Sequence, residues 1–87
     1  MERDVFLEMP QAIVLINAEI GKENEILQDL CKIAEVERAL LVYGVYDLVA
    51  NLQAETMEKL EDTITLKIRR IAGIRSTLTL IVSRQCK

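Results

Sequence analysis

Three glycines, Gly21, Gly44 and Gly73, together with the single Pro10, divide this chain, and the residue pattern changes period at each of them. Glycine takes positive φ without a Cβ penalty, so it marks turns and helix ends. Between Pro10 and Gly21, Ala12 to Glu19 is a nearly continuous apolar, β-branched run, which predicts a strand covered on both faces. After Gly21 the period becomes helical. Ile26, Leu27, Leu30, Cys31, Ile33 and Ala34 recur at three- and four-residue spacing, with Glu23, Glu25, Asp29 and Lys32 opposite, and Cys31 is expected in the core. Val36 to Tyr43 reads as a strand again. A link of only Gly44 to Asp47 then leads to Leu48–Ala54, so the two strands form an antiparallel hairpin. Thr56 is placed to cap a second helix whose buried stripe is Met57, Leu60, Ile64, Ile68 and Ile71. Its acidic residues lie early and Lys67, Arg69 and Arg70 late, as the helix dipole prefers. Gly73 ends that helix, and Ile74 to Val82 is the last strand.

The order β-α-β-β-α-β, with right-handed crossovers, folds as a split βαβ unit. The expected fold is therefore α+β and ferredoxin-like, with an antiparallel sheet in spatial order 4-1-3-2 and both helices on one face. Residues 12–87 make this domain, and residues 1–11 are an N-terminal extension, either disordered or paired with a neighbouring chain. Helices on one side leave the other side of the sheet bare, although Ile13 and Leu15 alternate with Ala12, Val14, Ile16 and Ala18. No element of the chain remains to cover that second face, so the pattern predicts a homodimer joined sheet to sheet, a dimeric α/β barrel.

Charge and composition exclude several functions. Fourteen acidic against eleven basic residues give a net charge of −3, which lacks the basic footprint that phosphate binding requires. An RNA-recognition motif shares this topology but stacks bases on aromatics of the central strands. Neither Ala12–Glu19 nor Leu48–Ala54 contains one. The two cysteines, Cys31 and Cys86, form no C-x-x-C pair, so no metal, cofactor or redox site is expected. Histidine, the commonest general base, is absent, and no nucleophile has an activating neighbour, so the chain is not expected to be an enzyme. The amino end carries no signal-like apolar run and no stretch reaches membrane-spanning length, which points to the cytoplasm.

Two segments resemble a known family. Tyr43-Gly44-Val45-Tyr46-Asp47-Leu48-Val49 is similar to the Gly-x-Tyr-Asp turn between the second and third strands of Lrp/AsnC transcriptional regulators. Ile68-Arg-Arg-Ile-Ala-Gly-Ile-Arg-Ser-Thr-Leu-Thr-Leu-Ile-Val82 resembles the family's helix-to-strand run, in which isoleucines precede Pro-Gly-Val and a Thr-x-Thr strand; here Ala72 stands in place of that proline. The resemblance covers about Ala12 to Val82. It implies a RAM domain (regulation of amino acid metabolism), which binds small effectors, commonly amino acids, dimerises through its sheets and assembles further, often to octamers. Relatives carry an N-terminal helix-turn-helix, for which eleven residues leave no room, so the chain resembles a stand-alone RAM protein that does not itself bind DNA and acts on itself or on full-length regulators.

Carried over by position, the resemblance places an effector at Gly44, Tyr46 and Asp47 of the turn and at Ser76, Thr77 and Thr79 of the last strand. Gly44 offers approachable backbone, Asp47 a partner for an α-ammonium group, and the three hydroxyls a carboxylate site. Gly44 and Asp47 are equally ordinary hairpin residues and the threonines ordinary strand residues. Tyr46 also suits packing at an interface. Two alternatives accompany the effector-binding reading: a structural assembly or heteromerisation subunit with no ligand, and an ACT-like regulatory domain. Glu19-Ile20-Gly21-Lys22 lacks the Pro-Gly turn of the latter.

Overall fold

A computed structural model describes residues 9–87 of the chain; the greater part of the proposed N-terminal extension lies outside the described residues. The elements are β1 (Gln11–Ala18), α1 (Glu23–Cys31), β2 (Val36–Leu41), β3 (Leu48–Gln53), α2 (Met57–Asp62) continued by a π-helical turn (Thr63–Ile68), and β4 (Ile74–Ile81). The four strands form one antiparallel sheet in the order β2-β3-β1-β4, which is 4-1-3-2 read from the other edge. This is the ferredoxin-like α+β fold that the glycine punctuation predicts.

One core joins the helices to one face of the sheet. Ala12, Val14, Ile16 and Ala18 of β1 and Leu48, Ala50 and Leu52 of β3 pack with Ile26 and Leu30 of α1 and with Leu60, Ile64 and Ile68. Each large aliphatic side chain so buried contributes about 1.5–3 kcal/mol relative to exposure. Thr56 caps α2 as its spacing implies, its hydroxyl accepting from the Lys59 N–H at 3.1 Å. Beyond Asp62 the helix widens, and the Arg69 N–H reaches back five residues to the Ile64 carbonyl at 3.0 Å. In the first half of that turn the hydroxyls of Thr63 and Thr65 donate back to the carbonyls of Lys59 and Glu61, a back-bonding that loosens a regular α-helix. The wide turn suits the strict four-residue spacing of Leu60, Ile64 and Ile68, all of them buried.

Three assignments to the buried side change, and one of them is Ala34, which is exposed in the turn after α1. Cys31 is exposed, because it ends α1 one position past Leu30 and lies on the flank of the buried stripe. Met57 is also exposed, at the first position of α2, where Leu60 is the buried residue.

Gly73 has φ +95°, and a Cβ built there would lie 3.0 Å from the Lys22 Cβ. Its carbonyl accepts from the Glu19 N–H at 2.8 Å. The residue thus closes the start of β4 onto the β1–α1 turn, a contact that only a glycine admits.

The register assigns every strand residue to a face. On β4, Thr77 pairs with Ile16 and Thr79 with Val14, so both threonines look toward the helices. Leu78 pairs with Leu15 and Leu80 with Ile13, on the helix-free side. Leu40 of β2 joins them through its pairing with Val49. The helix-free face therefore carries Leu40, Val49, Ile13, Leu15, Leu78 and Leu80 across four strands.

Candidate functional site

The β2–β3 hairpin is fastened to the end of β1 by Asp47. Its backbone N–H donates to the Ile16 carbonyl at 2.9 Å, and its carbonyl accepts from the Val42 N–H at 2.9 Å. Its carboxylate Oδ2 accepts from the Ala18 N–H at 2.8 Å. Antiparallel pairing of β1 with both neighbours brings the same end of β1 against the start of β4. Three chain segments distant in sequence thereby meet at one end of the sheet.

At that junction β4 bulges. Asn17 pairs with Ser76 and Ala18 with Ile74, which leaves Arg75 as an extra residue without a partner in the register. Ser76 shares the helix-free face with Asn17, whose side-chain amide donates to its hydroxyl at 3.3 Å. Ile74 turns inward and packs against the core. Asn17, Ala18, Asp47, Arg75 and Ser76 line a cleft of about 360 Å³, within the range of small-molecule sites. The ion pairs among the described residues include neither Asp47 nor Arg75.

Of the residues singled out in the sequence, the structure brings Asp47 and Ser76 into this cleft. Gly44 lies in the same hairpin, exposed and surrounded by open space, without a positive φ. Tyr46 is half-buried beside Asp47, while Tyr43 and Val45 project fully into solvent. Thr77 and Thr79 are turned away toward the helix layer, and the Thr79 hydroxyl is buried there without a hydrogen-bond partner among the protein groups. Register separates them from Ser76, because side chains on a strand alternate between faces. Arg75 and Asn17 were absent from the predicted set. The bulge that admits Arg75 has no signature in composition or period, whereas Asn17 is visible as the polar residue that interrupts the apolar run of the first strand. Among the described residues, no group of three or more His, Cys, Asp or Glu is placed to hold a metal ion, and no helix is long and apolar enough to cross a membrane.

The family model of the Lrp/AsnC ligand binding domain matches residues 11–87. The chain belongs to the Lrp/AsnC ligand-binding domain family. An uncharacterized HTH-type transcriptional regulator of Pyrococcus abyssi is 33% identical over 72 residues, covering 83% of this chain and 46% of the regulator. The chain spans about half the length of the curated relatives it matches. Among solved structures, FFRP-DM1 superposes with a TM-score of 0.82 at 36% identity, covering 85% of this chain and 99% of that one. A hypothetical protein from Pyrococcus horikoshii superposes with a TM-score of 0.81, also at 36% identity, covering 87% and 92%. This Lrp/AsnC domain thus shares its fold and its family with parts of transcriptional regulators and with proteins of nearly its own length. The family's description names ligand binding.

Proposed function

We propose that this Lrp/AsnC domain is an effector-sensing assembly module: an α-amino acid binds in the hairpin cleft and biases association of the domain with copies of itself and with full-length regulators. The observation that carries the reading is the meeting of Asp47 and Ser76, from the two motif segments, in one cleft next to an apolar, helix-free sheet face. A carboxylate and a hydroxyl so placed suit the ammonium and carboxylate of one small zwitterion. Gly44 and Tyr46 form the adjoining turn, where a second dimer would close over the ligand. Thr77 and Thr79 support the strand from its other side.

Two copies meeting through their helix-free faces would bury Leu15, Leu78 and Leu80 and give the homodimer, from which larger rings grow by symmetry. A net charge of −3 favours sensing and assembly over direct DNA contact, and cytoplasmic action beside transcription regulators accords with both.

The test is a thermal-shift and calorimetric screen of the twenty L-amino acids with sedimentation run in parallel. A ligand at about 100 times its Kd stabilises the bound state by about 2.7 kcal/mol. For a domain of this size that raises Tm by roughly 10 °C or more. The absence of any shift, with an unchanging oligomer, defeats the effector reading.

A second reading, assembly without a ligand, is favoured by the hydrogen bond from the Ala18 N–H to the Asp47 carboxylate, which gives that side chain a structural task of its own. Asp47→Asn separates the two, because its amide oxygen still accepts from Ala18 while the charge is gone. Lost binding with an intact fold supports the effector site.

A further inference from the structure

The proposed effector site, as read from the two motifs, lacks a cation for the ligand's carboxylate, and a serine hydroxyl alone is a weak partner for one. The bulge supplies that cation. Regular alternation from Ser76 on the helix-free face would place residue 75 among the helices and residue 74 back on the helix-free face. Instead Ile74 pairs with Ala18 and faces the core, and Arg75 is the inserted residue that lines the cleft beside Ser76. A bulge re-aims a side chain at the cost of one unpaired ladder position, and such irregularities recur beside functional sites. The irregularity is fixed from both sides. Gly73, with its positive φ, bonds Glu19, and Asn17 bonds the Ser76 hydroxyl.

We infer that Arg75, carried into the cleft by the β4 bulge, binds the carboxylate of the effector, so that the site selects molecules bearing a free carboxylate beside an ammonium group. This rests on the cleft being the effector site and adds to it a specificity-determining residue. A guanidinium presents its donors in a planar fork that matches a carboxylate, which an ammonium does not. Arg75 and Asp47 share the cleft lining without forming an ion pair with each other. The two opposite charges remain apart, as the two ends of a zwitterion require.

The experiment is calorimetry of the full chain with the L-amino acids and with their α-amides, which keep the ammonium and lose the carboxylate charge, on the wild type, Arg75→Lys and Arg75→Gln. Arg75 is exposed, so neither substitution disturbs the core. The wild type is expected to bind at least one free amino acid and to bind its amide about tenfold more weakly or worse, the value of one lost charge-assisted contact. Arg75→Gln is expected to lose a similar factor for the free acid and to discriminate little between acid and amide. Arg75→Lys falls between. Equal binding of acid and amide by the wild type, or an Arg75→Gln variant that still discriminates as the wild type does, overturns the inference while leaving the effector site standing. If no amino acid binds the wild type, the effector reading fails and the inference fails with it.

Discussion

The two faces of the sheet are built from the same four strands, yet only one is finished. On the helix side, Val14, Ile16, Leu48 and Ala50 are wholly buried. On the other side, Ile13, Leu15 and Val49 are half-buried, and Leu40, Leu78 and Leu80 are 39%, 46% and 46% exposed. The contrast is sharpest on β4. There the threonines face the helices and the leucines face away from them, the reverse of what burial by helices alone would select. At its two ends β4 turns Ile74 and Ile81 to the helix side, but between them Leu78 and Leu80 lie on the uncovered side, and the polar cleft lies at the end of that same surface.

A single substitution made on each face in turn tests this contrast most severely. Val14→Lys places an unpaired ammonium in the core, at a cost of several kcal/mol that takes a large part of a small domain's total stability, so a chain without cooperative melting is expected. Leu15→Lys, one residue along, costs about 1 kcal/mol or less in the isolated fold and should leave a folded monomer on sedimentation. A Leu15→Lys variant that assembles like the wild type would remove the sheet-to-sheet interface.

A smaller effect concerns how the finished face is closed at the cleft end. Gly73→Ala forces a Cβ against Lys22 at a positive φ and should cost about 1–2 kcal/mol, read as a lowered denaturant midpoint at unchanged m-value. The same variant should weaken effector binding, since Gly73 sets the bulge that carries Arg75. The smallest effect lies at the rim of the helix layer, where Lys67 Nζ donates to Glu35 Oε1 at 3.1 Å and ties the π-helical turn to the loop before β2. That hydrogen bond, with Glu35's own backbone bond and the nearby lysine charges, holds its carboxyl below the ordinary value of 4.5. A lowered folded-state value means that the contribution is complete above the ordinary glutamate range and is lost as pH falls through the lowered one. Both groups are solvated, so the loss is at most about 1 kcal/mol. Glu35→Gln should flatten that part of the stability–pH curve.

Much of this was legible in the residue pattern, for specific reasons. Ile26 and Leu30 recur at helical spacing, and Gly21 and Gly73 stand where positive φ is needed, so element order and sheet order followed. Thr56 announced its cap. Cys31 was misplaced because a nine-residue helix leaves its last position off the stripe. Asp47 and Ser76 belong to the two motif segments, and the fold brings them to one cleft. Thr77 and Thr79 were grouped with Ser76 although side chains one residue apart on a strand point to opposite faces.

The amino-acid sequence by itself determined the alternation of strand and helix, the hairpin, and the surplus of apolar strand residues that two helices cannot cover. Periodicity is local, and local hydrophobic patterning is enough to establish those. Only the tertiary structure decided which face each β4 residue occupies and that Arg75 enters the cleft. Face is a property of cross-strand register, and register at the Asn17–Ala18 bulge is settled by hydrogen bonds between segments far apart in the chain.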